Sequence, residues 1–347
     1  MKVTIVEVAK QAKVSIATVS RVMNNNYPVN AKTKARVLKV IEDLKFVPNV
    51  QAQEVKKRKS KTIGVIVPSV DNMYFPEVVH GIEQQLMSRS YSLMLTFSKN
   101  NKEREQDCTR NLIGRNVAGI IIADASTSNV SSGFFKEYGK NTPIVFINGD
   151  PAQSEFSFVM SDEERGTLEA LEYLWENGHE HVYFVRGDNS YSYDIKEQTF
   201  HKFYADKGVN VERNIICVGE GNSSEVITYT TKKFIQLLEK THCSAAFCCN
   251  DLMALGVVNA CKEKALRIPR DFSIIGFDNV ILSKYAEPKL TTVDQHMHQL
   301  GVNAAQLILE NITSDFDVSK KVVLNTSLIK RETVGKFRNP YKRKKEI

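Results

Sequence analysis

The sequence predicts a small all-α head of helix-turn-helix type followed by an α/β core of two doubly wound lobes. Three observations carry this expectation. Residues 4–60 read as short helices with almost no strand signal, whereas residues 61–330 alternate short apolar runs with amphipathic helical stretches. Strands that alternate with helices of ten or more residues form parallel sheets covered on both faces. About 270 residues with eight or more strands exceed one compact unit, so two lobes with a cleft between them are the natural solution.

The third observation is charge. The chain carries a net +7, but residues 1–61 hold 14 Lys/Arg against 4 Asp/Glu and residues 330–347 hold 8 against 2, while the 268 residues between them hold 25 against 34. A basic head and tail on an acidic body point to a polyanionic partner for the ends, nucleic acid before membrane. With 42% hydrophobic and 25% charged residues the composition is that of an ordinary globular protein. The longest apolar stretches, 63–68 and 119–123, are far short of the ~18 residues of a membrane span. No apolar leader is read at the N-terminus, and the six scattered cysteines read as reduced thiols, so a cytoplasmic protein is expected.

Within the head, Thr4 with Glu7 has the spacing of a capping box, and Ile5, Val8 and Ala9 form an inward face. Ser15 caps a second helix, where Thr18, Val19 and Val22 turn partly inward and Ser15, Ile16, Ala17, Ser20 and Arg21 stay free. That free N-terminal face is the part of a recognition helix that enters the major groove. Arg21 would reach a base edge, with Thr4, Ser15, Ser20 and Asn24 near the phosphates, and Ile16, Ala17 and Thr18 complete the expected DNA-binding positions of the helix pair. A third helix over 31–44 closes the head. In the core, strands are expected at 63–67, 93–97, 118–122, 144–147, 182–185, 215–218, 245–249 and 272–276, each a short apolar run between polar or Gly/Pro residues. Helices are expected at 75–88, 102–114, 162–177, 199–207, 225–239, 252–264 and 298–311. The C-terminal residues lack periodicity and read as a mobile basic tail.

From Ile5 to Asn25, and then in Phe46-Val-Pro-Asn49, Gln51-Ala-Gln53 and Ile63-Gly-Val-Ile-Val-Pro68, the chain resembles the head, hinge and first strand of the lactose/galactose-repressor family. Val159–Asp162, Gly178-His179, Asn250-Asp251 and Ala254-Leu-Gly256 continue the likeness. Ile268-Pro-Arg-Asp-Phe-Ser-Ile-Ile-Gly-Phe-Asp278 and Leu290-Thr-Thr-Val-Asp-Gln295 complete it, so that it covers about residues 3–331. The resemblance implies a DNA-binding head (1–48), a hinge helix and linker (49–61) and a core like the periplasmic sugar-binding proteins (62–331). The first lobe would take about 62–160 plus 293–320, the second about 161–290 plus 321–331, and 332–347 would be the tail.

It also implies a homodimer on an inverted repeat of double-stranded DNA. Asn49, Ala52 and Val55 of the hinge would touch that DNA, with Val55 wedged into the minor groove where leucine is usual. The chain departs from the family pattern at Lys13, where glycine is usual and a positive φ is therefore expected. It departs again at Asn148 (aspartate usual), Lys196 (arginine usual) and His296 (proline usual). Effector-facing positions implied by the resemblance are Ser69, Asn72, Tyr74, Phe75, Asn148, Ser192, Lys196, Asn222, Asn250, Asp278 and Gln295. Amide and carboxylate groups with aromatic rings suit a polyhydroxylated ligand, and Lys196 adds a cation for a sugar acid or sugar phosphate.

Other classes have weaker support. His179-Glu-His181 and His296-Met-His298 lack third and fourth ligands, so no metal is expected. No phosphate-binding loop, nucleophile elbow or HExxH is present, so neither a cofactor nor catalysis is expected. A corepressor-dependent global regulator would carry aromatic, acidic and basic residues where His298, Gln299 and Gln306 stand. A stand-alone sugar-binding protein would have no such head. The expected function is a sequence-specific transcriptional regulator, a repressor, whose operator affinity is controlled by a small sugar or sugar acid.

Overall fold

The structure is a computed structural model that describes residues 3–24, 27–47, 60–150, 155–188, 190–239, 243–313 and 319–337. It divides into two units, Met1–Ser60 and Lys61–Ile347.

The first unit holds α1 (Ile5–Gln11), α2 (Ile16–Asn24) and α3 (Ala31–Asp43). The capping box is formed: the Thr4 N–H donates to Glu7 Oε2 at 2.7 Å and the Glu7 N–H to Thr4 Oγ1 at 3.4 Å. Lys13 in the turn has φ of 49°, a left-handed conformation that glycine adopts without strain. Ser15 Oγ then accepts from the Thr18 N–H at 3.2 Å and caps α2. Val8, Ala12, Val19, Val22, Val37 and Phe46 are buried together, one apolar stripe from each helix plus the ring that follows α3.

The second unit contains two six-stranded sheets. Along the chain run β1 (Thr62–Val67), α4 (Tyr74–Ser88), β2 (Ser92–Phe97), α5 (Lys102–Gly114) and β3 (Gly119–Ala123). Next come α6 (Thr127–Ser131), α7 (Phe134–Gly139), β4 (Ile144–Ile147) and β5 (Ser157–Ser161). After a crossing to the second lobe follow α8 (Glu163–Glu176), β6 (Val182–Arg186), α9 (Tyr191–Asp206), β7 (Ile215–Cys217) and α10 (Glu225–Leu237). That lobe continues with β8 (Ala245–Cys248), α11 (Asp251–Glu263), β9 (Ser273–Asp278), α12 (Ile281–Tyr285) and β10 (Thr291–Asp294). The chain returns to the first lobe for α13 (Met297–Thr313) and β11 (Lys321–Leu324), and ends in the second with β12 (Ser327–Ile329).

The strand orders are β11-β5-β4-β3-β1-β2 and β12-β10-β9-β8-β6-β7, parallel except for β12 on β10. In each sheet the order reverses once, between β1 and β3 and between β6 and β8. Ligands of open α/β sheets bind in the crevice at the carboxyl ends of strands beside such a reversal. On the first lobe α4 and α13 cross backbone to backbone: a Cβ on Gly81 would lie 2.0 Å from the His298 carbonyl oxygen, and one on Gly301 2.0 Å from that of Val78. Only glycine allows that approach.

Four strands escape the sequence pattern. β5 and β10 mix Ser, Thr and Asp with apolar residues, and β11 and β12 are short edge strands with half-exposed faces. Their pairing corrects the lobe boundaries. Residues 321–324 lie parallel on β5 and belong to the first lobe, whereas all of 291–294 lies on β9 in the second. Residues 332–337 are likewise no tail. Thr333 Oγ1 donates to the Ile274 carbonyl at 2.6 Å, and the Phe337 ring stacks on the buried His179. The His179 ring donates to the Gly335 carbonyl through Nε2 (3.0 Å), leaving Nδ1 to accept from Ser244 at 2.8 Å. α9 begins at Tyr191, eight residues before the apolar period predicts, because its first turns bury polar contacts and not an apolar stripe.

Candidate functional site

On α2 the side chains of Ile16, Ala17 and Arg21 are exposed, Ile16 at 48%. Arg21 lies over the Tyr27 ring with its guanidinium carbon 5.5 Å from the centroid, which restrains it without using its hydrogen-bond donors. Thr18 and Ser20 are half-buried. Thr18 Oγ1 bonds with Ser15 Oγ at 2.9 Å, and Asn24 Nδ2 donates to the Ser20 carbonyl at 2.8 Å. Thr4 serves the α1 cap. Free contact surface is thus concentrated at Ile16, Ala17 and Arg21, while the polar residues around them hold the helices in place. Asn49, Ala52 and Val55 lie outside the described residues.

In the core, the carboxyl ends of both sheets enclose a cavity of about 30 Å³, space for one or two water molecules. Asn72, Tyr74 and Phe75 follow β1, and Asn148 follows β4. From the second lobe come Ser192 and Lys196 on α9, Asn222 after β7, Asn250 after β8 and Asp278 at the end of β9. Gln295 lies on the crossing after β10. The sequence-expected residues therefore converge, with one correction. Ser69 does not line the cavity, since its hydroxyl donates to the Asn222 carbonyl at 3.3 Å and accepts from the Asp71 N–H. Asp124, Ser190, Tyr193 and Cys249 line it as well and were not anticipated. Their signal was positional, because Asp124 and Cys249 immediately follow β3 and β8, the strands beside the two reversals.

Three wall residues sit on strained backbone: φ is 52° at Asp124, 56° at Asn148 and 114° at Asp278. Such conformations outside glycine cluster where the surroundings over-determine a polar group's direction. Asn148 Nδ2 donates to Tyr74 Oη at 3.0 Å and its Oδ1 accepts from the Ser161 N–H, so this asparagine ties the wall to the chain crossing. Tyr193 Oη donates to Asn222 Oδ1 (3.2 Å), and Asn250 Nδ2 donates to the Gly221 carbonyl (2.8 Å). Burial, with the nearby carboxylates, holds both tyrosine hydroxyls protonated well above their ordinary range.

Carboxylates dominate the electrostatics. Asp124 accepts from Ser190 Oγ at 3.0 Å and Asn222 Nδ2 at 3.1 Å, two bonds that join the lobes. Burial pushes its carboxyl up to about 6. Asp278, which accepts from Gln295 Nε2 at 2.6 Å, is raised well above the carboxylate range, chiefly by burial and then by Asp251. Lys196, 1% exposed, donates to Glu163 Oε1 at 3.2 Å and Ser192 Oγ at 2.5 Å, and sits 4.2 Å from the Phe277 ring centroid.

The cavity lies against the three crossings between lobes. There the Asp162 N–H donates to the Leu324 carbonyl (2.8 Å), Thr326 Oγ1 to the Asp162 carbonyl (2.9 Å) and Ser161 Oγ to the Gln295 carbonyl (3.3 Å). These short segments join the two lobes, an arrangement with the geometry of a hinge between packed lobes.

Comparison with known proteins agrees with this architecture. Residues 4–49 match the bacterial regulatory proteins of the lacI family, and residues 171–334 match the periplasmic binding protein-like domain. The chain is 32% identical over 318 residues to the catabolite control protein A of Priestia megaterium, covering 91% of this chain and 94% of that one. It is 32% identical over 332 residues to the HTH-type transcriptional repressor PurR of Pasteurella multocida, covering 95% and 98%. Among solved structures, the Lac repressor dimer bound to operator and an anti-inducer superposes with a TM-score of 0.85 at 26% identity, over 96% of this chain and all of that one. With a helix-turn-helix head and a two-lobed core of this form, the chain belongs to the lacI family of DNA-binding regulatory proteins.

Proposed function

We propose that this regulator represses transcription as a homodimer on an inverted-repeat operator, and that a small sugar-like effector in the interlobe cavity sets its operator affinity. The observation that carries the reading is the polar cavity between the two sheets beside the crossings of the chain, in a protein whose α2 leaves Arg21 exposed. Arg21 reads a base edge; Thr4, Ser15, Ser20 and Asn24 stand near the phosphates, Ile16, Ala17 and Thr18 belong to the same DNA-binding face, and Asn49, Ala52 and Val55 contact the DNA from the hinge. The names of the relatives, repressors among them, and the operator-bound Lac repressor dimer support this assignment.

The effector is larger than this narrow space, so it fits only when the lobes part. Parting breaks the bonds from Ser190 and Asn222 to Asp124, from Ser69 to the Asn222 carbonyl and from Asn100 to Glu220. Hydrogen bonds to charged groups are each worth about 1.5–3 kcal/mol, so the set is worth several kcal/mol. That matches the ~5.5 kcal/mol needed to move a two-state equilibrium from 1:99 to 99:1. Asn72, Asn148, Asn222, Asn250, Asp278 and Gln295 are the hydrogen-bonding wall, and Tyr74 and Phe75 cover an apolar ring face.

Selection of the purified chain on random duplexes tests the reading. A two-fold symmetric site whose retention changes with one member of a sugar panel is the expected result. A pool without an enriched sequence would refute it.

A further inference from the structure

Resting on the reading of the cavity as an effector site, we propose that its ligand is a hydroxyl-rich molecule carrying a protonated amine, as an amino sugar does, and that acids and phosphates are rejected. The cation that would receive an acid is already engaged. The Lys196 ammonium has three N–H groups, and around it stand Glu163 Oε1, Ser192 Oγ and the Phe277 ring face, all within the protein. No further donor of Lys196 is left for a ligand anion.

The remaining charged groups on the wall are Asp124 and Asp278. Neither forms an ion pair among the described residues, and both accept only from neutral donors: Ser190 and Asn222 for the one, Gln295 for the other. An independent feature points the same way. Gln295, 2% exposed and on the cavity wall, has an Oε1 with no partner among the described residues. A buried acceptor left so is unfavourable, and a ligand donor relieves it. The wall thus presents two carboxylates and an orphaned amide oxygen, all of which want a donor. Burial, the first cause of the raised carboxyls of Asp124 and Asp278, disfavours their charged forms, and an ammonium beside them favours those forms again.

The approach has the same sign. Beyond Asp124, Ser190 and Asn222, which are shared by both spaces, the cleft widens into an outer opening of about 750 Å³. Glu103, Asp188, Asp194 and Glu220 line it; Glu103 pairs with Lys102 at 3.7 Å and Asp194 with Arg186 at 2.7 Å, while Asp188 and Glu220 form no ion pair among the described residues. Low-dielectric clefts lined by one sign of charge concentrate the opposite one. An ammonium replaces the neutral donors on Asp124 as the lobes part, and its neighbouring hydroxyls meet Gln295 Oε1 and Asp278.

The test is calorimetric titration of the full chain at pH 6.5 with three series in gluco, galacto and manno configurations: hexosamines, hexoses and hexuronates. One hexosamine is expected to bind at least ten-fold more tightly than its hexose, with no heat from any hexuronate. Asp124→Asn, and separately Asp278→Asn, should erase the hexosamine's advantage over its hexose, and a cooperative urea transition followed by Trp175 fluorescence shows that each variant is folded. Tightest binding by a hexuronate, or a hexosamine advantage that survives both variants, would overturn the ligand class. If the hexuronate's binding is lost in Asp278→Ala, the cavity reading stands without it. Silence from all nine sugars would overturn both.

Discussion

Replacing Glu163 by glutamine is expected to destabilise the second lobe by about 3 kcal/mol. Lys196 and Glu163 are 1% and 7% exposed, so water cannot screen the charge that remains. Removing one partner of a buried ion pair costs about 3–5 kcal/mol. The low end applies because the glutamine oxygen still accepts from the ammonium, and Ser192 and the Phe277 ring at 4.2 Å remain in place. Lys196→Met should cost less, about 2 kcal/mol. There the carboxylate keeps the Ser192 hydroxyl at 2.6 Å and lies in the first turn of α8, where the helix dipole favours an anion by up to ~1 kcal/mol. The double variant should fall short of the sum of the singles by 1 kcal/mol or more, since neighbours in one network are not additive. Trp175, the single tryptophan, packs on Phe203 and Tyr204 in this lobe, so its fluorescence in a urea titration follows the relevant transition. A loss below 1 kcal/mol for Glu163→Gln, or strict additivity, would refute the description of the pair as a buried, mutually dependent unit.

Three further outcomes are expected. Arg21→Ala should weaken operator binding by about 1–3 kcal/mol and relax preference at one base pair per half-site, as read by gel shift across single-base operator variants. Gly301→Ala must force α13 off the Val78 carbonyl, lowering stability by about 1–3 kcal/mol or more, with the loss visible as a reduced Tm of the core. Glu105, whose carboxyl burial pushes up to about 7, keeps a proton in the folded chain that the unfolded chain has released. Stability should therefore fall as pH rises from about 4.5 to 7, by up to about 3 kcal/mol at 1.36 kcal/mol per pH unit, and Glu105→Gln should flatten that slope in urea titrations.

What could be read from the sequence depended on where burial and polarity coincide. The positive φ at Lys13 followed from the family resemblance, and the head was otherwise legible residue by residue, because the Thr4–Glu7 box and the Ser15 cap are local effects. The all-apolar strands β1, β3, β4 and β8 were legible for the same reason. β10 was not, because its two threonines are fully buried through bonds to Asp251 and from the Arg331 N–H, which no hydrophobic period reveals. The first turns of α9 were missed because Tyr193 and Lys196 face the cavity and the ion pair. Asp124 was legible in principle from its place at the end of a strand beside the reversal of strand order, but only once β5 and β11 complete that sheet. Lys196 was read as a free cation, and only the geometry assigns its charge to Glu163.

The decisive measurement is operator binding by the full chain, followed by fluorescence anisotropy on a selected duplex, with and without the sugar that binds the core. Wild type and Asp278→Ala are expected to bind the duplex equally without the sugar, and only wild type should change affinity, by ten-fold or more, when it is added. An equal response in both, or binding indifferent to the duplex sequence, would contradict a head that reads DNA under the control of the interlobe cavity.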